Sequence, residues 1–286
     1  MQPRTIFPRS LSPSRAQEFL NCPLKYRLRT IDAIPEDPSP AAIRGTLIHR
    51  VLEQLFSLDA ADRSIEHAND LVEANYELLE IASKSSACLL DDAGLHRESS
   101  KVLIKKYFEL EDPRRIAVAH CELGIAAEID TDFIIRGFID RVDISTNEQV
   151  RIVDYKTGRS PGPQHEHNAM FQMRFYALTW WRSTGSIPTM LQLLYLGSRD
   201  RLFYEPDEAD LLSTERRIFA IRQAITNAAG KEDFQPSPSR LCQWCSYKPL
   251  CPAFGGNPPP LPDPQFWESG SIDEDTQSTM LKDPSA

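Results

Sequence analysis

Between Arg115 and Gly158 the chain carries three consecutive runs of β-branched and aromatic residues, at about 116–129, 133–145 and 149–157. Short turns at Thr131-Asp132 and around Asn147 join them. Turns that short force each strand to pair antiparallel with the next, so a three-stranded meander must sit at the centre of whatever this chain folds into. Ahead of it the spacing is helical. Ile43, Leu47, Ile48, Val51, Leu52 and Leu55 recur three and four residues apart, with His49 and Glu53 on another face. A helix over Arg15–Leu28 opens on Ser12-Pro13 and is split at Cys22-Pro23, and further helices are expected near 62–83 and 95–110. Behind the meander come a helix at about 168–183, strands at 189–197 and 201–205, and a helix from Asp207 to about Ala228. The order predicts an α/β fold with a mixed central sheet flanked by helices.

With 286 residues, 41% of them hydrophobic, the chain can bury a sizeable core. No apolar run is long enough to span a bilayer, and prolines and arginines interrupt the first thirteen residues, so a cytoplasmic protein with no membrane partner is expected. The formal net charge of -9 argues against non-specific coating of nucleic acid. The excess acid lies between 59 and 113 and after 256, however, which leaves the first segment and the centre open to such a partner. Residues 1–255 read as one domain, and 256–286, rich in proline and acid, as a disordered tail.

The second hairpin of the meander holds the first chemical signal. If its turn is symmetric about Asn147, residues whose numbers sum to 294 face each other, which sets Asp140 against Asp154. Asp154 and Lys156 then share a face. Two facing carboxylates repel unless a cation lies between them. Either the pair is an exposed hairpin feature with Lys156 as counter-ion, or it holds a hard divalent ion such as Mg²⁺ or Mn²⁺. The apolar residues on the same face, Val150 and Ile152 beside Asp154 and Phe138 and Val142 beside Asp140, favour the second. A two-residue turn at 131–132 would put Leu123 opposite Asp140, so Glu122 joins only if a bulge, at Gly124 or Gly137, shifts the register.

The second signal is Cys242-x2-Cys245-x5-Cys251, three thiols at metal-ligand spacing and one short of a tetrahedral set. Cys88 and Cys121 have no such company and read as incidental thiols.

Taken in order, Arg44-Gly45-Thr46-Leu47-Ile48-His49, Gly137-x-x-Asp140-Arg141-x-Asp143, Val153-Asp154-Tyr155-Lys156-Thr157-Gly158 and Gln172-x-x-x-Tyr176 resemble the motifs of RecB-type nucleases of the PD-(D/E)xK superfamily. The resemblance implies a restriction-endonuclease-like core and a metal-dependent deoxyribonuclease, an exonuclease on single-stranded DNA ends in repair, recombination or defence. In it Asp140, Asp154, His49 and the Tyr155 carbonyl would ligate Mg²⁺ or Mn²⁺, with Glu122 as a further candidate. Lys156 would serve the attacking water, and Gln172 and Tyr176 would line the path of the strand. Cys22 is similar to the distant N-terminal cysteine of members such as AddB-like subunits and CRISPR-associated exonucleases, in which four cysteines hold a 4Fe-4S cluster. Cys22, Cys242, Cys245 and Cys251 would thus join the two ends of the domain, with structural Zn²⁺ as the alternative. A helicase or CRISPR-adaptation partner is implied, and a non-motor DNA-binding or scaffold subunit is the rival reading, since no Gly-x-x-x-x-Gly-Lys loop occurs. Arg15, Lys25, Arg27 and Arg29 are candidates for contacting the DNA backbone.

Overall fold

The computed structural model describes residues 7–36, 39–82, 93–162 and 166–263. Cys88, His165 and most of the expected tail, 264–286, lie outside them. The elements run β1 (Ser10–Leu11), α1 (Pro13–Asn21), α2 (Pro23–Tyr26), a π turn (Arg27–Ile31), α3 (Pro40–Ser57), α4 (Ile65–Ala82) and α5 (Ala93–Leu110). Then follow β2 (Val118–Asp130), β3 (Phe133–Ile144), β4 (Val150–Lys156), α6 (Glu166–Thr184), β5 (Met190–Tyr195), β6 (Asp200–Tyr204) and α7 (Glu208–Gly230).

The helix starts follow the sequence signals. Ser12 caps α1 by accepting from the Arg15 amide, with Pro13 in the first helical position, and Ser39 does the same for α3 ahead of Pro40. Cys22-Pro23 divides α1 from α2, because proline offers no amide to the preceding turn. Asp207 and Asp210 close a reciprocal cap on α7.

The six strands form one mixed sheet. β2 runs antiparallel along one edge of β3. The other edge of β3 is shared: β1 pairs parallel with its start, at Ile134 and Ile135, and β4 pairs antiparallel with its end, from Arg141 to Ile144. β4 continues parallel to β5, and β6 closes the far side. The β3–β4 pairs, Arg141 with Val153 through Ile144 with Val150, all sum to 294 as the symmetric turn requires. The ladder stops at Arg141 and Val153, while β4 stays on β5 as far as Lys156. The sheet therefore forks immediately before Asp140 and Asp154.

Helices cover both faces. α1, α6 and α7 meet Leu123, Ile135, Val142, Ile152 and Leu191 on one, and α3, α4 and α5 meet Val153, Tyr155, Leu194 and Leu196 on the other. Strand residues of both parities are thus buried, which is why β4 and β5 read as nearly continuous apolar runs. Trp180 belongs to the first core, with Trp181 packed against it.

Contacts bear on two expectations. Residues 256–263 do not all belong with a loose tail: Leu261 packs against the first core and the Pro259 carbonyl accepts from the buried Arg27 guanidinium. Three of the four basic residues near the N-terminus are engaged internally, Lys25 with Glu36, Arg27 with Asp32 and Arg29 with Glu18 and Glu36. A count of charges along a helix says nothing of these pairs, because their acidic partners come from other turns of the chain.

Candidate metal centre and its surroundings

The fork in the sheet leaves the last residues of the β3–β4 hairpin without ladder partners, and side chains take over. The Asp140 carboxylate accepts the Tyr155 amide proton at 2.6 Å, a bond that a regular strand would have given to a backbone carbonyl. Opposite Asp140 on its other side stands Glu122. The pairs from His120–Val142 to Glu128–Ile134 all sum to 262, which sets Glu122 directly against Asp140. The bulge responsible lies between Glu128 and Asp130, not at Gly124 or Gly137. One extra residue there reverses the parity expected from the tight turn. Glu122 itself sits at φ 46°, a left-handed kink that interrupts β2 at the site.

α3 brings the third group. Its apolar stripe, Leu47, Ile48, Val51, Leu52 and Leu55, is buried in the second core, and that fixes the rotation of the helix so that His49 faces the fork. His49 Nδ1 lies 3.4 Å from Asp140 and 3.7 Å from Glu122, and Nε2 donates to the Tyr155 carbonyl at 3.0 Å. Ligand atoms of His49, Glu122 and Asp140 all lie within 4.8 Å of one another, the one grouping of its kind among the described residues. Burial opposes charge on the imidazole, but hydrogen bonds to Asp140 and Glu122 outweigh it and push the His49 pKa up to about 10.

Asp154 is next door and held separately. It is 1% exposed, its carboxylate meets Lys156 Nζ at 2.7 Å, and it accepts from the Gln172 amide at 2.9 Å. Gln172 in turn accepts from Lys156 at 2.8 Å and donates to the Tyr176 hydroxyl at 3.1 Å. Burial raises the Asp154 pKa to about 6, with Asp140 adding to the effect and Lys156 and His49 opposing it. Lys156 is held charged: burial disfavours the ammonium, but Asp154 more than compensates.

Gly137 has a steric role. A Cβ there would lie 2.8 Å from the Tyr176 ring and 3.4 Å from Pro13, so only glycine lets α6 and α1 close on β3 at this point.

A divalent cation suits this set. Two carboxylates and an imidazole converge, with Asp154 and Lys156 beside them, and the oxygen-rich donors match a hard ion. A groove of about 840 Å³, lined by Gly45, Arg50, Phe138 and others, opens onto His49 and Glu122.

The four cysteines also come together. Cys22, Cys242, Cys245 and Cys251 line one cavity of about 30 Å³ with Leu24, Leu28 and Tyr247. Backbone amides of Lys25 and Ser237 donate to Cys22 Sγ, and that of Ser239 donates to Cys242 Sγ. Cys121 is packed beside the second core, where burial pushes its thiol up to about 11.

Sequence reasoning missed the network behind the centre. Arg141 is 0% exposed and reaches Glu111 and Asp143 at 2.9 Å each and the Tyr155 hydroxyl at 2.7 Å, with Arg151 on Asp143 and Gln192 on Glu111. The signal was present: Arg141 and Asp143 have the parity opposite to Asp140, and with helices on both faces that parity is buried, so the charges had to pair.

The sequence profile of the PD-(D/E)XK nuclease superfamily matches residues 10–252. Two curated proteins are similar over most of their length: the Gene 69 protein of Mycobacterium phage D29, 25% identical over 269 residues, and the Gene 69 protein of Mycobacterium phage L5, 22% identical over 291. In each case 85% of this chain and 96% of the relative are covered. Among solved structures, that of a "Putative exonuclease" from Eubacterium rectale superposes with a TM-score of 0.53 at 11% identity, covering 86% of this chain and 93% of that one, a likeness of fold. The profile spans both the forked sheet and the four cysteines, and on that match the chain belongs to the PD-(D/E)XK nuclease superfamily.

Proposed function

We propose that this protein is a divalent-metal-dependent deoxyribonuclease that hydrolyses phosphodiester bonds, acting as an exonuclease on single-stranded ends. The observation that carries the proposal is the convergence of His49, Glu122 and Asp140 at the fork of the sheet, with Asp154 and Lys156 alongside. His49, Glu122, Asp140 and Asp154 would hold Mg²⁺ or Mn²⁺; the Tyr155 carbonyl, now accepting from His49, is a further oxygen at the same place. Such an ion supplies charge stabilisation at the phosphate and lowers the pKa of water.

The remaining work falls to the chain. Lys156, fixed between Asp154 and Gln172, places a positive charge where the phosphate gains negative charge, and orients the attacking water. Gln172 binds Asp154 and Lys156 at once, so it keeps acid and base in register. The exonuclease mode draws on the motif resemblance and on the name of the structural neighbour. The test is release of nucleotides from end-labelled single-stranded DNA, with 5′- and 3′-blocked substrates, by the purified protein with Mn²⁺ or Mg²⁺ and with EDTA. Cleavage equal in EDTA, or none with either ion, would overturn it.

The same proposal assigns Cys22, Cys242, Cys245 and Cys251 to a structural 4Fe-4S cluster. Backbone amides donate to two of the sulfurs, and all four side chains share one cavity. Tetrahedral zinc at about 2.3 Å per thiolate would need sulfurs about 3.8 Å apart. No three of these sulfurs meet within 4.8 Å, which suits a larger group. Anaerobic purification should give iron and sulfide in roughly equal amounts; one zinc and no iron would replace the cluster.

A further inference from the structure

Gln172, whose amide holds Asp154 and Lys156, also lines a second groove, of about 500 Å³, between α1, the start of α6 and the Ser237–Cys245 segment. The far wall of that groove is Trp244. It is 75% exposed, and Leu241 beside it 70%, the two most exposed large apolar side chains among the described residues. Neither is on a loose segment. They lie on the 3-10 turn Arg240–Trp244, whose start is capped by Ser239 and whose end is tied by the Cys245 amide to the Cys242 carbonyl. The backbone that carries the indole is already tied on both sides, so little of it remains to be ordered when a flat partner binds.

The rest of the lining selects the partner. Ser14, Gln17, Asn21 and Ser239 offer hydroxyls and amides without charge, and the charged lining residues, Glu18 and Lys25, are each neutralised by an internal pair. A polar groove with an aromatic wall suits a nucleobase, which has a π face to stack and donors and acceptors along its edge. We propose that this groove is a subsite for an unpaired nucleotide next to the scissile phosphate, with the Trp244 indole stacking on its base. The identity of the ligand class rests on the nuclease reading; the geometry of the groove does not. Paired bases are stacked on each other and present no free face, so the subsite also selects single strands over duplex.

The test uses the full-length protein in EDTA, where no cleavage occurs, with a short fluorescein-labelled oligothymidine read by anisotropy. Trp244→Ala should weaken binding about tenfold, which is about 1.4 kcal/mol, while Trp244→Phe stays within about threefold, in keeping with stacking losses of order 1–3 kcal/mol per base. The oligonucleotide should quench tryptophan emission of the wild type, and the quench should vanish in Trp244→Phe. Unchanged oligonucleotide affinity in Trp244→Ala, or equal losses in the Ala and Phe variants, would overturn the subsite. If Trp244→Ala does not fold, the quench decides: persistence in Trp244→Phe overturns the proposal, and loss supports it. Wild-type protein that binds in this pattern yet cleaves nothing would sink the nuclease reading and leave the subsite standing.

Discussion

Asp154 and Lys156 form an ion pair at the fork, and the two members differ in what they risk. Asp154 is buried and its acid form is favoured up to about pH 6, so an amide of equal size gives up charge without opening a void. Asp154→Asn should therefore lose at least about 100-fold in cleavage, the scale of losing one transition-state contact, with a melting temperature no lower than wild type. A variant that cuts DNA at the wild-type rate would remove Asp154 from the centre. Arg141 is the opposite case, a buried cation paired with two acidic residues, Glu111 and Asp143. Replacing it alone by methionine leaves Asp143 to Arg151 and Glu111 to Gln192, and urea titration should show a loss of about 3–5 kcal/mol. A loss under about 1 kcal/mol would mean that water reaches those carboxylates.

Individual elements show where the sequence was legible. Strand and helix limits followed from periodicity, because helices on α3 and α7 and the runs of β2 to β5 each have one dominant burial pattern. The pairing of β3 with β4 followed from the symmetry of their turn. The β2–β3 register did not: Ile129, between the paired Glu128 and Asp130, is chemically an ordinary strand residue, and nothing in its identity marks a bulge. β1 spans two residues, too few for any period to show. The contact of three elements at Gly137 gives a prediction of its own. Gly137→Ala pushes a methyl group into the Tyr176 ring and should cost about 1–3 kcal/mol, the usual range for overpacking. Thermal melts of Gly137→Ala with and without Tyr176→Leu would check it, since the smaller side chain should restore most of the loss.

Across the whole molecule, the two ends of the described chain meet. Cys22 joins the C-terminal cysteines around one cavity, Arg27 binds the Pro259 carbonyl, and Leu261 is packed on the first core. Truncation after Asp263 should leave cooperative unfolding and its midpoint unchanged. Truncation after Gly255 should lower the midpoint by several degrees, because it uncovers core and takes the Pro259 carbonyl away from the buried Arg27. Equal midpoints for the two truncations would show that the stretch from 256 to 263 adds nothing.

The amide of Tyr155 departs from its strand to bind the Asp140 carboxylate, and that departure makes the backbone itself a gauge of the centre. A carboxylate oxygen that turns toward an arriving ion loosens its grip on that proton. Protein without metal should thus guard the Tyr155 amide against deuterium, and protein with metal should release it sooner, while its neighbour Val153, still zipped to Arg141, keeps the same pace in both.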